Sequence, residues 1–192
     1  MEIALSLLIG IGLSATSGFR VFVPLLIMSI ASLSGHLELS SGFEWIGSYP
    51  SLAILLAATI IEILAYFIPY LDNLLSVISS PISIIAGIII TASVVTGMSP
   101  LLTWTMAIIA GGGFSLAGKV TSNVIHTGST TMTGGSVNPA VSFLETVITT
   151  VIAVLSVLFP LLVILFVGLL GYILVKVMKR IKRGRRKKLY LK

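Results

Sequence analysis

Residues 133–143 read "TGGSVNPAVSF", from Thr133 to Phe143. A Gly134-Gly135 pair and Ser136 run straight into Asn138-Pro139-Ala140, and an apolar run with one acid, Glu145, follows. Gly-Gly-Ser is turn chemistry, and Asn then Pro is helix-start chemistry, with Asn as the cap and Pro in the first turn. The stretch therefore predicts a break followed by a new helix. Whether that helix end faces a pore depends on where the polar residues before it lie.

Working outward, the surroundings are apolar. Of 192 residues, 56% are hydrophobic and only 9% charged, against roughly 25% charged in soluble domains. Mean hydropathy is +1.14. This composition predicts an all-α, polytopic transmembrane bundle whose environment is the lipid bilayer. Apolar segments fall at 3–33, 51–69, 81–98, 101–118, 138–158 and 160–178, which gives about six crossings. The first segment is long for one crossing and is interrupted at Ser14-Ala15-Thr16-Ser17-Gly18, so it is either one long crossing or a broken, hairpin-like element. Phe159-Pro160 is either a tight turn or a kink. The first residues, Met1-Glu2-Ile3, lack the basic start of a cleaved signal, so the first apolar segment is expected to stay.

The net charge of +6 is a property of one end. Ten of the twelve Lys and Arg lie between Lys176 and Lys192, leaving Arg20 and Lys119 elsewhere. A basic cluster behind an apolar helix marks the cytoplasmic side and attracts anionic lipid headgroups. The expected arrangement is a multi-pass protein of the inner (plasma) membrane with a cytoplasmic C-terminus. Residues 1–178 form the transmembrane domain and 179–192 a basic tail; nucleic acid is not an expected partner. On this topology Lys119 and the Asp72-Asn73 pair fall inside, and the loop 34–50 outside.

"GIGLSATSGFR" (10–20) and "GGGFSLAGK" (111–119) both end in glycine and a cation, and a Pro follows in the next element, Pro24 or Pro139. This admits an inverted repeat with halves 1–99 and 100–178. The bland alternative is that small residues recur because helices pack closely through them.

Charged groups inside apolar segments are costly, so they mark function by default. Arg20, Glu62, Asp72, Asn138 and Glu145 are the candidate residues of a substrate or ion pathway. Glu62 is either a proton or cation site, or the charges are architecture, a structural pair of Glu62 or Glu145 with Arg20. Glu62→Gln is expected to impair transport while leaving folding largely intact. Gly18, Gly112, Gly134, Gly135 and Pro139 are the candidate backbone breaks. The polar stretch from Lys119 to Ser136 is expected to be either a re-entrant loop or a plain cytoplasmic loop. His126 lies in it; it is either a group that titrates near neutral pH or, as a lone loop histidine usually is, an ordinary one.

Other chemistries are disfavoured. Gly113 to Lys119 nearly spells a phosphate loop, but Val120 stands where Ser or Thr belongs and no strand precedes it. There is no cysteine, and His36 and His126 are expected on opposite sides, so no metal site is expected. No cofactor is implied, and no nucleophile–base pair suggests an enzyme.

Two resemblances add to this. "TGGSVNPAVSF" resembles the half-helix motif of aquaporins and glycerol channels over about eleven residues, which would imply that Asn138 caps the half-helix and donates to water. Aquaporins carry two such motifs; here "SGFRVFVPL" stands in the other half, without Asn. Over most of the chain, "GLSATSGFRVFVPLL", "EILAYFIPYLDNLL", "AGGGFSLAGK" and "STTMTGGSVNPAVSFLE" resemble a bacterial integral-membrane family catalogued as domain of unknown function 4126. That family usually carries a basic residue where Phe67 stands here. The resemblance implies that Gly18, Arg20, Glu62, Pro69, Asp72, Asn138, Pro139 and Glu145 belong to one site or scaffold, without naming an activity.

The functional expectation is a small channel or transporter for an ion or small polar solute. The alternatives are a non-transporting scaffold or subunit of a larger membrane complex, or a lipid-handling membrane protein. A homo-oligomer or membrane-complex partner is compatible with each.

Overall fold

The first apolar segment does not form one helix. In the computed structural model, α1 (Glu2–Ser17) and α2 (Phe22–Leu33) are separated by a turn over residues 18–21. The backbone is described for residues 2–65 and 69–189; side chains of 69–77, 174 and 177–189 lie outside the described residues. The break falls where Ser14, Thr16 and Ser17 are spent on carbonyls three residues back, at 2.7–3.0 Å. Such back-bonding competes with helix propagation, and Gly18 then lets the chain turn.

The order continues with α3 (Tyr49–Ala65), α4 (Pro69–Val94), α5 (Pro100–Met106), a π-helical turn (Ala107–Gly112), α6 (Gly113–Thr133), α7 (Asn138–Leu158) and α8 (Leu162–Leu189). All of this regular structure is helical. Among the described residues, two stretches, Pro100–Thr133 and Asn138–Leu158, are long and apolar enough to cross a membrane.

Several expected boundaries move. The α4 helix begins at Pro69, so Asp72-Asn73 are helical in backbone rather than a loop, and the helix runs on through Pro81. The side chain of Asp72 lies outside the described residues, as does Phe67 altogether. The polar stretch after Lys119 is neither a re-entrant nor a plain loop: α6 continues to Thr133. Its hydroxyls do not break the helix because Thr121, Thr131 and Thr133 bond to carbonyls four residues back along it. Gly112 does not reverse the chain. It closes the π-turn, where the helix absorbs an extra residue and carries on. Helix α8 runs past the expected edge of the tail to Leu189.

Helix α1 sits in the middle, packed against α2, α4, α6, α7 and α8. Its residues 12–17 are buried. Close approach is bought by glycine: a Cβ on Gly87 of α4 would meet Ser115 of α6 at 2.6 Å. At this junction Ser115 Oγ donates to the Ser83 carbonyl (2.6 Å), and Ser17 Oγ, whose shorter bond goes to Ser14, reaches the same oxygen as the long arm of a shared bond (3.2 Å). Three helices are thus tied at one carbonyl.

The segment after α2 folds back as a cap. Ser40 N–H donates to the Ser93 carbonyl (2.7 Å) and its hydroxyl to that of Ala92 (2.9 Å), satisfying the end of α4. A 3₁₀ turn, Glu44–Gly47, buries Ile46, whose carbonyl accepts from Ser29 Oγ at 2.7 Å. The exterior is the reverse of a soluble protein's. Ile54, Ile61, Leu101, Ile109 and Leu165 are exposed, while Arg20, Glu62, Lys119 and Glu145 are buried.

Candidate functional site

The site is built around the α1–α2 turn. Helix α2 starts at Phe22 with no side-chain cap of its own, because Val21 occupies the capping position. The missing acceptor comes from α3. Glu62 Oε1 accepts from Val21 N–H (2.7 Å) and Oε2 from Phe22 N–H (3.0 Å). The carboxylate sits on the positive end of the α2 dipole, where an anion is favoured. Glu62 is therefore a cap delivered across the fold, rather than the simple Arg20 ion pair weighed from the sequence. Arg20 and Lys119 still act on it electrostatically.

Arg20 is 1% exposed, and its Nη2 donates to the Ser142 carbonyl on α7 at 2.8 Å. It is held there because Gly18 presses on α6: a Cβ at Gly18 would collide with the Ser115 carbonyl and the Lys119 amide. Lys119, directly beneath, is buried and donates from Nζ to Ser79 Oγ of α4 at 2.6 Å.

Helices α6 and α7 present two facing polar stripes. Lys119, Ser122 and His126 recur at i, i+3 and i+7 on α6; Ser142, Glu145 and Thr149 recur at the same spacing on α7. His126 Nε2 lies 3.0 Å from Glu145 Oε2, joining the stripes. Glu145 Oε1, Ser142 Oγ and Thr149 Oγ1 are inaccessible to solvent and carry no hydrogen-bond partner among the described residues.

Of the residues singled out in the sequence, Arg20, Glu62 and Glu145 are brought to this cluster. Asn138 is not a cap. Val137 stands at the capping position, Asn138 is the first helical residue, and its Nδ2 reaches Thr130 Oγ1 on α6 at 2.9 Å. The reason is the turn before it: Gly134 (φ +63°) and Gly135 (φ +89°) are left-handed, and the Asn138 amide already donates to the Gly135 carbonyl. This end of the α6–α7 hairpin is largely exposed. Pro139 takes the second helical position, where its missing N–H costs nothing.

Lys119 as a buried cation, Ser142 and Thr149 were not singled out from the sequence, and His126 was read as a residue of a loop rather than of a helix. The signal that could have found them is the i, i+3, i+7 recurrence. It was hidden because the stretch after Lys119 reads as loop composition.

The class defined here is an all-helical protein with an apolar exterior and a charged, hydrogen-bonded interior. A family model described as Domain of unknown function (DUF4126) matches residues 7–180, and the chain belongs to that family. No curated relative and no solved structure matches the chain.

Proposed function

We propose that this protein is a small multi-pass membrane channel or transporter for an ion or small polar solute. The observation that carries the reading is the convergence of Arg20, Glu62, Lys119, His126 and Glu145 inside an otherwise apolar bundle. Charges placed at membrane depth are expensive, on the order of 2.5–3.5 kcal/mol each even on insertion scales, and persist where function uses them.

The proposed topology has about six crossings: the α1–α2 element, α3, α4, the α5–α6 element, α7 and α8. The basic end of α8 lies in the cytoplasm, and the membrane is the inner (plasma) membrane. The exposed isoleucines and leucines of α3, α5, α7 and α8 support a lipid-facing exterior. An inverted repeat is supported by one crossing. Gly18 and Gly118 touch, each is followed by a buried cation, Arg20 or Lys119, and each leads toward a helix with Pro near its start, Pro24 or Pro139. On this reading the broken first element supplies the α2 helix end and Arg20 at mid-membrane, as transporters use discontinuous helices.

The test is flux into proteoliposomes for water, glycerol, protons, alkali cations and small anions, with Arg20→Ala as control. Flux of at least one species, lost in the variant, is expected. A folded wild-type protein that moves none of them overturns the reading in favour of a membrane-complex scaffold.

A second reading has its own observation. A cavity of about 290 Å³ opens beside Val21, Phe22, Ala58, Glu62, Ser79 and Ile82. It is almost wholly apolar and could take a segment of acyl chain, which favours lipid handling. A headgroup-dependent scramblase assay in the same liposomes separates the two.

A further inference from the structure

Two buried acids serve this site, and they are not equivalent. Both oxygens of Glu62 are committed to the amides of Val21 and Phe22. Glu145 holds His126 with one oxygen, while the other has no hydrogen-bond partner among the described residues. Ser142 lies one helical turn before Glu145 and Thr149 one turn after; their hydroxyls are likewise solvent-inaccessible and without a hydrogen-bond partner among the described residues. All three residues are at least nine-tenths buried: Ser142 is 1%, Glu145 6% and Thr149 1% exposed.

Resting on the transport reading, we propose that the Glu145–His126 pair is the proton-binding site of the protein, with the Ser142 and Thr149 hydroxyls as flanking relay positions on α7. A proton suits this place better than a solvated ion. The open acceptors have no accessible surface, so little room is left for a coordination shell, whereas a proton needs only an acceptor and a donor. A carboxylate hydrogen-bonded to an imidazole can take up a proton at one oxygen and pass it through the ring. Neither hydroxyl is hydrogen-bonded to Glu145 in this arrangement, so each would exchange a proton with it only after a side-chain rotation closes the gap.

The charged groups around it are few. From the α1–α2 turn Arg20 holds the Ser142 carbonyl, one turn from Glu145. From α3 comes Glu62, already bound to the α2 helix end. Lys119 lies two turns before His126 on α6 and donates to Ser79 of α4. Helix α2 brings no ionisable side chain, and α1 only Glu2 at its far end; on α8 the first is Tyr172, ahead of Lys176, and the side chain of Asp72 on α4 lies outside the described residues. Among the described residues, His126 is the ionisable group in hydrogen-bond contact with Glu145.

The experiment uses the full chain in liposomes with a trapped pH-sensitive dye and an imposed potassium-diffusion potential. Parallel proton-uptake titrations in detergent run between about pH 5 and about pH 8. Glu145→Gln is expected to cut proton flux at least tenfold and to remove one proton from the titration. His126→Gln is expected to displace the pH profile of flux, a change that a purely structural loss would not produce. Thr149→Val and Ser142→Ala, nearly isosteric, are expected to slow proton flux severalfold while the titration stays unchanged. Proton flux and titration in a folded Glu145→Gln protein that equal the wild type overturn the proposal. If solute or ion flux persists in that case, the transport reading stands without it. If the wild type takes up the Glu145 proton yet carries no flux of any species, the transport reading fails and the relay fails with it.

Discussion

Gly18 at the end of α1 and Gly118 on α6 lie against each other, with no room for a side chain on either. A Cβ on Gly18 would strike the Ser115 carbonyl and the Lys119 amide, and one on Gly118 would strike the Ala15 carbonyl and approach the Gly18 Cα at 3.3 Å. All but the last of these are rigid polar backbone atoms. The crossing sets the height of Arg20 and Lys119 relative to each other, so it positions the site as well as the helices.

Gly18→Ala and Gly118→Ala should each destabilise the fold by at least about 1–3 kcal/mol, the usual cost of overpacking a close-packed contact. The double variant should cost less than the sum, because the first substitution already forces the helices apart. Gly113→Ala, where a Cβ meets open space, is the control and should be neutral or mildly stabilising. Thermal unfolding in a mild detergent checks all four; a fully stable Gly118→Ala would contradict the crossing.

Glu62 should behave as a cap. Glu62→Gln keeps the shape but offers one acceptor oxygen where two are used, setting its amide NH2, a donor, against a backbone N–H. A loss of about 1–3 kcal/mol is expected, and a larger one for Glu62→Ala, which leaves both amides unsatisfied. This revises the expectation from sequence, in which the Gln variant kept its fold. Hydrogen exchange at Val21 and Phe22 should rise in both variants. Unchanged exchange there would rule out the capping role.

The α6–α7 turn should tolerate asparagine better than alanine. At Gly134, φ +63°, a β-carbon is strained by roughly 1–2 kcal/mol, while Asn adopts this region more readily. Gly134→Asn should therefore melt between the wild type and Gly134→Ala. Because this end is exposed and outside the charged cluster, proton or solute flux should be unaffected in all three.

Arg20→Lys should not replace Arg20. The Nη2–Ser142 carbonyl bond at 2.8 Å is made by the far end of a guanidinium, beyond the reach of a shorter ammonium stem in the same place. Arg20→Lys and Arg20→Ala should both lower stability measurably, with Lys retaining part of the flux and Ala none. Equal flux in Arg20→Ala and the wild type would remove Arg20 from the pathway.

Much of the scaffold was legible in the chain. The helix start at Asn138-Pro139 follows from local backbone chemistry, which acts within a few residues and leaves a mark in residue type; at Gly18 and at Phe159-Pro160 the same chemistry marked the place but left a continuous or kinked helix open beside the break that forms. The burial of Arg20, Glu62 and Glu145 was legible for a similar reason: each stands alone in an apolar run. The boundaries that failed did so where local composition and tertiary context compete. Residues 119–133 look like a loop by their Ser, Thr and Gly content, yet the hydroxyls bond back along α6 and His126 gains a partner on α7.

The sequence by itself determined an apolar helical protein with a few costly charges, because hydropathy and charge cost are properties of single residues and short windows. Only the tertiary structure decided what each charge does. Glu62 caps α2 because Val21 cannot and α3 packs alongside, and Glu145 keeps an open oxygen because α6 supplies one histidine. Those assignments depend on which helices meet and at what register, which is fixed by contacts such as Gly18–Gly118 between residues a hundred positions apart.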